Sequence, residues 1–223
     1  MNYNTILTDS RWEIIKAISE EDLSATELAK HTKTSIANVS QQLRLLEAYG
    51  LIKKISKINN GIGKPKTRYT ISKEVIETLI VSKNHCEKKS LDLDYLQKAI
   101  LNLWLHTKKE NHYFLEKFLT TYEEVTVKCQ AIYIIKITIE SIELLLVTEK
   151  LDEIRQKYSS QKISNLEGQI KTIICWTHST KEIEEGLKRK ENHFIQLVTN
   201  LKPFLDKEEI TKKIKQAENG TSK

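Results

Sequence analysis

The sequence has few cysteines, and they lack the spacing of a bonded or metal-binding framework. Cys86, Cys129 and Cys175 are odd in number and far apart, and no two of them form a CxxC pair. Such cysteines are typical of reduced thiols inside a cell, so a disulfide-stapled secreted protein is excluded. With six scattered histidines and no zinc-type spacing, the sequence also gives no reason to expect a metal site.

Long apolar runs are missing as well. The most apolar segment, residues 131–147, is interrupted by Lys136, Glu140 and Glu143, so we do not expect it to span a membrane. The first ten residues carry several polar side chains and do not resemble a signal peptide. We therefore expect a cytoplasmic protein without a membrane partner.

Acidic residues are absent from one segment of a chain that is otherwise mixed in charge. The formal net charge of +6 at pH 7 is too small to indicate a polyanionic partner by itself. From residue 48 to residue 73, however, there is no Asp or Glu. The basic residues of this segment are Lys53, Lys54, Lys57, Lys64, Lys66, Arg68 and Lys73. This concentration favours contact with phosphates, and the alternative is a solvated basic edge strand that deters aggregation.

The first 83 residues predict three helices and a hairpin. A capping box from Ser24 to Glu27 begins the second, short helix, and Gly50 is well placed to end the third in the left-handed conformation. Two β-branched segments follow, LIKKISKI and KTRYTIS, and the glycine-rich stretch NNGIGKP joins them. This order predicts a winged helix-turn-helix over residues 1–83.

The third helix has an unusual polar face. Ile36, Val39, Leu43 and Leu46 fall at helical spacing and should be buried, whereas the opposite face has no carboxylate before Glu47. Phosphates repel carboxylates, short hydroxyls permit close approach, and Asn, Gln and Arg can each form paired bonds with a base. The face therefore suits the major groove, and the alternative is a polar face that lacks acids by chance.

The candidate DNA-binding residues combine this face with the basic hairpin. They are Ser24, Thr34, Ser35, Asn38, Ser40, Gln41, Arg44, Lys54, Lys57, Lys64, Lys66 and Arg68.

These segments carry a family resemblance. The sequence SATELAKHTKTSIANVSQQLRLLEAYGLIKK, continued by GKPKTRYTIS, resembles the winged helix-turn-helix of ArsR-type transcriptional regulators over residues 6–83. The resemblance implies that residues 35–46 form the recognition helix and residues 56–68 the wing. Metal-sensing members carry a cysteine pair around the recognition helix, and this sequence has none there, so metal sensing at that site is not expected.

The next segment predicts a linker and a dimer contact. Residues 84–91 are polar and predict a linker, and residues 92–106 repeat apolar side chains along a wide helical stripe. We therefore assign residues 84–110 to a linker and dimerisation helix, and we expect a homodimer.

Beyond this helix, short apolar segments alternate with amphipathic ones. The apolar segments predict strands and read AIYIIKI, IELLLVT and IKTIICWT. The amphipathic segments predict helices, including KLDEIRQKYSS and a long helix, STKEIEEGLKRKENHFIQLVTNL, that a capping box from Ser179 to Glu182 begins. The alternation predicts a small α/β domain over residues 111–205. A charged tail at residues 206–223 follows, for which a helix with a frayed end is one interpretation.

Residues 115–200 are also similar in outline to nucleotidyltransferase-like domains. The expected Gly-Ser turn is replaced by Ile135-Lys136, and the expected carboxylate pair by Ser141-x-Glu143. Because one carboxylate cannot replace two at a metal–triphosphate site, the resemblance implies an inactive domain. The alternative is an unrelated α/β domain for dimerisation or ligand sensing.

The sequence as a whole predicts an α+β protein with an N-terminal winged helix-turn-helix, a helical connector and a C-terminal small α/β domain. We expect a sequence-specific regulator that binds double-stranded DNA, that is not an enzyme and needs no cofactor, and that answers to an unidentified small-molecule or protein effector. One alternative is a divergent nucleotidyltransferase with a DNA-binding appendage, which needs a second carboxylate near Glu143 from Glu140, Glu149 or Asp152. Another is that the basic wing contacts a protein.

Overall fold

The computed structural model describes residues 7–56, 67–199 and 201–220. The chain forms two compact units, residues 1–92 and 93–223, and both mix helices with strands. The prediction of an α+β protein is therefore confirmed at this level. In the described part of the chain, every helix is too short or too polar to cross a membrane.

The first unit begins with three helices, which two antiparallel hairpins follow. The helices are α1 (Asp9–Glu20), α2 (Ala25–His31) and α3 (Ile36–Ala48). The strands are β1 (Ile52–Ser56) and β2 (Thr67–Ile71), which pair with each other, and β3 (Glu77–Ser82) and β4 (His85–Ser90), which form the second pair.

The helix boundaries predicted from Ser24, Glu27 and Gly50 are confirmed in this unit. The predicted capping box is present, since the Ser24 hydroxyl accepts a bond from the Glu27 N–H at 3.4 Å and the Glu27 carboxylate accepts one from the Ser24 N–H at 2.8 Å. Gly50 has the predicted positive φ of 68° just after α3. Val39, Leu43 and Leu46 are buried as expected.

Two expectations for this unit were wrong. Ile36 is half exposed rather than buried, because it is the first residue of α3 and lies outside the buried cluster. The polar linker predicted at residues 84–91 is instead strand β4, which pairs with β3 from Glu77 opposite Ser90 to Ser82 opposite His85. Polarity suggested a linker because both faces of this hairpin strand are exposed, so it lacks an alternating pattern.

The second unit contains a five-stranded sheet and seven helices in the described residues. The strands are β5 (Ala131–Ile137), β6 (Ser141–Val147), β7 (Ser160–Ser164), β8 (Ile170–His178) and β9 (Lys202–Asp206). The helices are α4 (Tyr95–His106), α5 (Lys109–Thr121), α6 (Glu123–Lys128), α7 (Leu151–Tyr158), α8 (Thr180–Lys188), α9 (Asn192–Val198) and α10 (Ile210–Gly220). The sheet order is β7-β8-β6-β5-β9, with β6 and β8 parallel and the other neighbours antiparallel.

Helices cover both faces of this sheet. Successive side chains of a strand point to opposite faces, so Leu144 and Leu146 of β6 join one buried cluster while Leu145 and Val147 join another. The first cluster includes residues of α4 and α5, and the second includes residues of α8 and α10. The strands predicted from AIYIIKI, IELLLVT and IKTIICWT are therefore confirmed, although Ile170 and Trp176 of β8 are exposed.

Helix α4 lies where the dimerisation helix was predicted, but its apolar stripe is partly used within its own unit. Ala99 and Leu103 are buried in the first of the two clusters. Trp104 and Leu105 remain exposed on the same helix. Part of the wide apolar stripe therefore packs on the core of its own unit, a contact that the sequence alone did not indicate.

The predicted long helix after Ser179 is broken into α8 and α9. The capping box at its start is confirmed, but α8 ends at Lys188 and Lys190 adopts a positive φ of 57°. The break lets Phe194 pack on Gly186, where an added Cβ would lie 2.0 Å from a ring carbon. Only a glycine at position 186 leaves room for the Phe194 ring, so this contact accompanies the break in the helix.

The predicted charged tail at residues 206–223 is also corrected. Asp206 ends strand β9, and most of the following residues form α10, whose Ile210 and Ile214 are buried in the second cluster. The helix considered for this charged segment is present, and the buried isoleucines show that it packs on the sheet, which the charge of the segment did not indicate.

This correction can be tested by truncating one buried side chain of α10. We expect Ile214→Ala to lower the free energy of unfolding of the second unit by about 2–5 kcal/mol, because it leaves a cavity in the core. The exposed neighbour Lys213 gives the matched control, and Lys213→Ala should change it by no more than about 0.5 kcal/mol. Urea unfolding followed by hydrogen exchange of peptides from each unit measures both, and equal small effects would contradict the docked helix.

Candidate nucleic-acid interface

The outward face of α3 lies opposite its buried residues. Ala37, Gln41, Arg44 and Ala48 are exposed and fall three or four positions apart, so they form one stripe along the helix. Gln41 and Arg44 therefore project side by side, with a small alanine beyond each of them. Any partner that lies along this stripe can approach the helix backbone closely at both ends.

The N-cap of α3 and the residue before it are polar and uncharged, and the exposed Ile36 follows them. Ser35 is the N-cap, and its hydroxyl accepts a bond from the Asn38 N–H at 3.2 Å. No acidic residue lies in the first turn, and Thr34 and Ser35 are exposed. The positive end of the helix dipole therefore faces solvent without a competing carboxylate.

Two further predicted residues lie at the margin of the stripe. Asn38 and Ser40 are half-buried, and the Asn38 side-chain oxygen accepts a bond from the Gln42 amide at 3.3 Å. The structure thus brings Thr34, Ser35, Gln41 and Arg44 to the exposed side and places Asn38 and Ser40 beside them.

The first acidic residue of α3 is neutralised by the hairpin. Glu47 accepts a bond from the Lys54 ammonium of β1 at 2.7 Å, and this hydrogen bond raises the pKa of Lys54. Exposed ion pairs of this kind contribute little to stability, so Lys54 can exchange the carboxylate for a phosphate at small cost. Lys53 on the same strand is exposed.

Arg68 has a structural role that the sequence did not reveal. Its guanidinium donates to the Glu27 carboxylate at 2.9 Å and to the Asp22 carbonyl oxygen, and it is half-buried. Glu27 also accepts a bond from the Ser24 hydroxyl at 2.8 Å, and Ser24 is buried. In the structure Ser24 and Arg68 make bonds that join the start of α2 to β2, and their contacts with DNA stay a prediction.

The remaining predicted contacts, Lys57, Lys64 and Lys66, lie outside the described residues. Strands β1 and β2 nevertheless form the predicted antiparallel pair, with Ser56 opposite Thr67 as the last pair before this segment. A bridge between Leu23 and Tyr69 fastens β2 to the chain before α2, with N–H to oxygen distances of 3.3 and 2.9 Å.

Glu143, the carboxylate on which the enzymatic alternative depends, lies on β6 of the second unit. The Glu143 carboxylate accepts a bond from the Trp176 indole at 3.0 Å. Of the proposed partners, Glu140 comes just before β6, whereas Glu149 and Asp152 come after Val147, which ends the strand about 13 Å from Glu143. Within residues 7–56, 67–199 and 201–220, no three His, Cys, Asp or Glu side chains come together in a way that could hold a metal ion.

A histidine pair lies at the carboxyl end of β8. His178 bonds to the Glu182 carboxylate through Nδ1 at 3.1 Å, and its Nε2 lies 3.4 Å from Nε2 of His193. Burial lowers the pKa of His178, which disfavours the protonated form of this imidazole. Burial acts to raise the pKa of Glu182, but its bonds to His178 and the Ser179 N–H and the charge of Arg155 lower it on balance. Sequence could not pair these histidines, because the break between α8 and α9 brings them together.

A cavity of about 790 Å³ lies at the opposite end of the sheet. Lys171 lies at its wall and donates to the Asn111 side-chain oxygen at 3.0 Å and to the Thr138 carbonyl oxygen at 2.7 Å. His106 and Ile170 also line it. The predicted small-molecule effector has this space available, and its binding stays a prediction.

The structural role of Arg68 leads to a stability prediction. Arg68→Ala should destabilise the first unit by about 1–2 kcal/mol, because the Glu27 carboxylate and Asp22 carbonyl lose a charged donor. The exposed Arg189 provides a matched control, and Arg189→Ala should leave the first unit unchanged. Hydrogen exchange of amides in α2 and β2 measures the effect, and undiminished protection in Arg68→Ala would refute the assignment.

Comparison with known proteins reaches only part of the chain. No curated protein matches it. Residues 6–70 match the family described as HVO_A0114, whose role is not known. The matched segment contains α1, α2, α3 and β1 and extends into β2, so it includes the polar stripe of α3. Over these residues, the chain is similar to the HVO_A0114 family.

Proposed function

We propose that the protein is a sequence-specific, DNA-binding transcriptional regulator whose first unit is a winged helix-turn-helix. The observation that carries the proposal is the acid-free stripe of α3, in which Gln41 and Arg44 project side by side between two alanines. The order of three helices and an antiparallel hairpin supports it, because this is the order that the motif requires.

In the proposed complex, α3 enters the major groove. Gln41 can pair with the edge of adenine and Arg44 with that of guanine, each through two hydrogen bonds. Ala37 and Ala48 keep the backbone close to the bases. Thr34 and Ser35 are suited to a phosphate at the groove wall, where the positive end of the helix dipole also attracts it.

The basic hairpin supplies the phosphate contacts. Lys53 and Lys54 lie on β1, and Lys57, Lys64 and Lys66 extend the same acid-free segment. Phosphates flank every groove, so these contacts strengthen binding to all sequences alike, whereas α3 distinguishes among sequences. A wing that contacts a protein instead would leave DNA binding insensitive to these lysines.

The proposal includes a cytoplasmic homodimer without catalytic activity. Two copies related by a twofold axis would bind inverted half-sites about one DNA turn apart. The second unit would then sense an effector or hold the two copies together.

Selection of bound duplexes from a random pool, with the full-length chain, tests the proposal directly. We expect enrichment of an inverted repeat and an affinity that falls as NaCl is raised. Equal retention of all duplexes, unaffected by salt, would reject the proposed function.

The role of α3 gives a prediction about sequence preference. Arg44→Ala should lower discrimination at one base pair of each half-site by about 1–3 kcal/mol, because the paired bonds to guanine are lost. Arg189→Ala removes another exposed guanidinium, from the second unit, and should leave discrimination unchanged. Competition binding with the selected duplex and its single-base variants measures both, and identical preferences would place the recognition surface elsewhere.

The role of the hairpin gives a prediction about salt dependence. In the double variant Lys64→Ala and Lys66→Ala, affinity for every duplex should fall, and the slope of log affinity against log salt should flatten by about 2. Removing Lys181 and Lys188, which are exposed on α8, changes the net charge equally and should leave the slope as it is. A loss of sequence preference in the hairpin variant would contradict this separation of roles.

A further inference from the structure

The hairpin of β3 and β4 exposes three large apolar side chains in a row. Leu79, Ile80 and Val81 are 60%, 45% and 72% exposed. Among the described residues the two strands pair with each other alone, so both outer edges carry unpaired backbone groups. Strands β1 and β2, the other strands described in the first unit, present no comparable row of exposed apolar side chains.

Such a hairpin is poorly stable without a partner. An isolated two-stranded hairpin is marginal in water, and an exposed apolar edge strand is a template for pairing with another chain. Opposite Leu79, Ile80 and Val81, strand β4 carries Lys88, Glu87 and Cys86. The apolar edge therefore belongs to β3, and a partner strand should add there.

We propose that β3 pairs antiparallel with β3 of a second copy, about a twofold axis at Ile80, to form a four-stranded sheet. This proposal identifies the interface of the homodimer proposed above. Only the biological role of the dimer rests on the proposed function. Its assembly needs no DNA, so it can fail or hold independently of DNA recognition.

The sequence of β3 is complementary to itself in this register. With the axis at Ile80, Leu79 lies opposite Val81 of the second copy, and Thr78 lies opposite Ser82. Outside these pairs, Glu77 lies opposite Lys83, so opposite charges close both ends of the apolar contact. Cross-strand pairs of these types stabilise a sheet, whereas like charges destabilise it.

Neighbouring registers lose this complementarity. An axis at Leu79 places Val81 opposite Glu77, and an axis at Val81 places Leu79 opposite Lys83. Glu77 already pairs with Lys88 of its own hairpin at 3.1 Å, so Lys83 of the second copy would extend a row of alternating charges. Charge complementarity thus selects both the occupant and the register.

The edge can be tested with two valines of equal exposure. Val81 in β3 and Val127 in the second unit are both 72% exposed. Val81→Lys would place a lysine in the apolar contact of both copies, and we expect at least a tenfold weaker dimer by sedimentation without DNA. Val127→Lys should dimerise like the natural chain, which controls for the added charge.

Two results would overturn the proposal in this experiment. One is a natural chain that remains monomeric at about 100 μM, which corresponds to less than about 5.5 kcal/mol of association free energy. The other is a dimer that Val81→Lys leaves as tight as Val127→Lys does. Circular dichroism of both variants checks that each is folded before its mass is compared.

Engineered cysteines test the register independently of any loss of stability. In a Cys86→Ser background, Ile80→Cys should form a disulfide-linked dimer on mild oxidation, because the two copies of residue 80 face each other across the axis. Leu79→Cys alone should not, but mixed with Val81→Cys it should. Cys129 and Cys175 are buried, so we expect little cross-linking from the natural cysteines that remain.

Val127→Cys serves as the control for random collision. If it cross-links as fast as Ile80→Cys, or if Leu79→Cys links to itself faster than Ile80→Cys, the pairing at Ile80 is wrong. Gels run without reductant give these rates directly.

Discussion

The Glu27 carboxylate fixes the arrangement of the first unit. It accepts bonds from the Ser24 N–H and hydroxyl and from the Arg68 guanidinium, so one group begins α2 and holds β2 against it. The Leu23–Tyr69 bridge runs beside this contact. Helix α3 and strand β1 follow each other in the chain, and the Glu47–Lys54 bond joins them. The Glu27 bonds thus tie the strand that pairs with β1 to the helix before α3, while the buried cluster that contains Leu43 and Ile52 packs α3 and β1 in the same unit.

Sequence predicted the features that short-range chemistry determines. Capping boxes at Ser24 and Ser179 were found because they need residues only three positions apart, and β6 because its apolar residues are buried on both faces. Strand β4 was missed because it has no buried face to create a pattern. The helix after Ser179 was predicted too long, since the contact of Phe194 with Gly186 is a tertiary one.

In the candidate interface, too, short-range features were predicted from the sequence and long-range contacts were not. The acid-free face of α3 was visible because helical periodicity sorts its residues into buried and exposed sides. The role of Arg68 was hidden, since its partner lies 41 positions earlier in the chain and a basic residue next to a predicted wing is expected to contact a phosphate. His178 and His193 belong to different elements and meet only after the chain reverses between them. Long-range partners of this kind leave no periodic signal.

The order of strands in the second sheet bears on how the protein is made. Strand β5 lies between β6 and β9, yet β9 is synthesised about 70 residues after β5, which takes roughly 4–14 s on a ribosome. During that interval one edge of an almost wholly apolar strand has no neighbour, and the cluster that Ile210 and Ile214 complete stays open to water. A nascent chain at this stage is a natural client for a chaperone, whereas the first unit has already emerged with all of its strands.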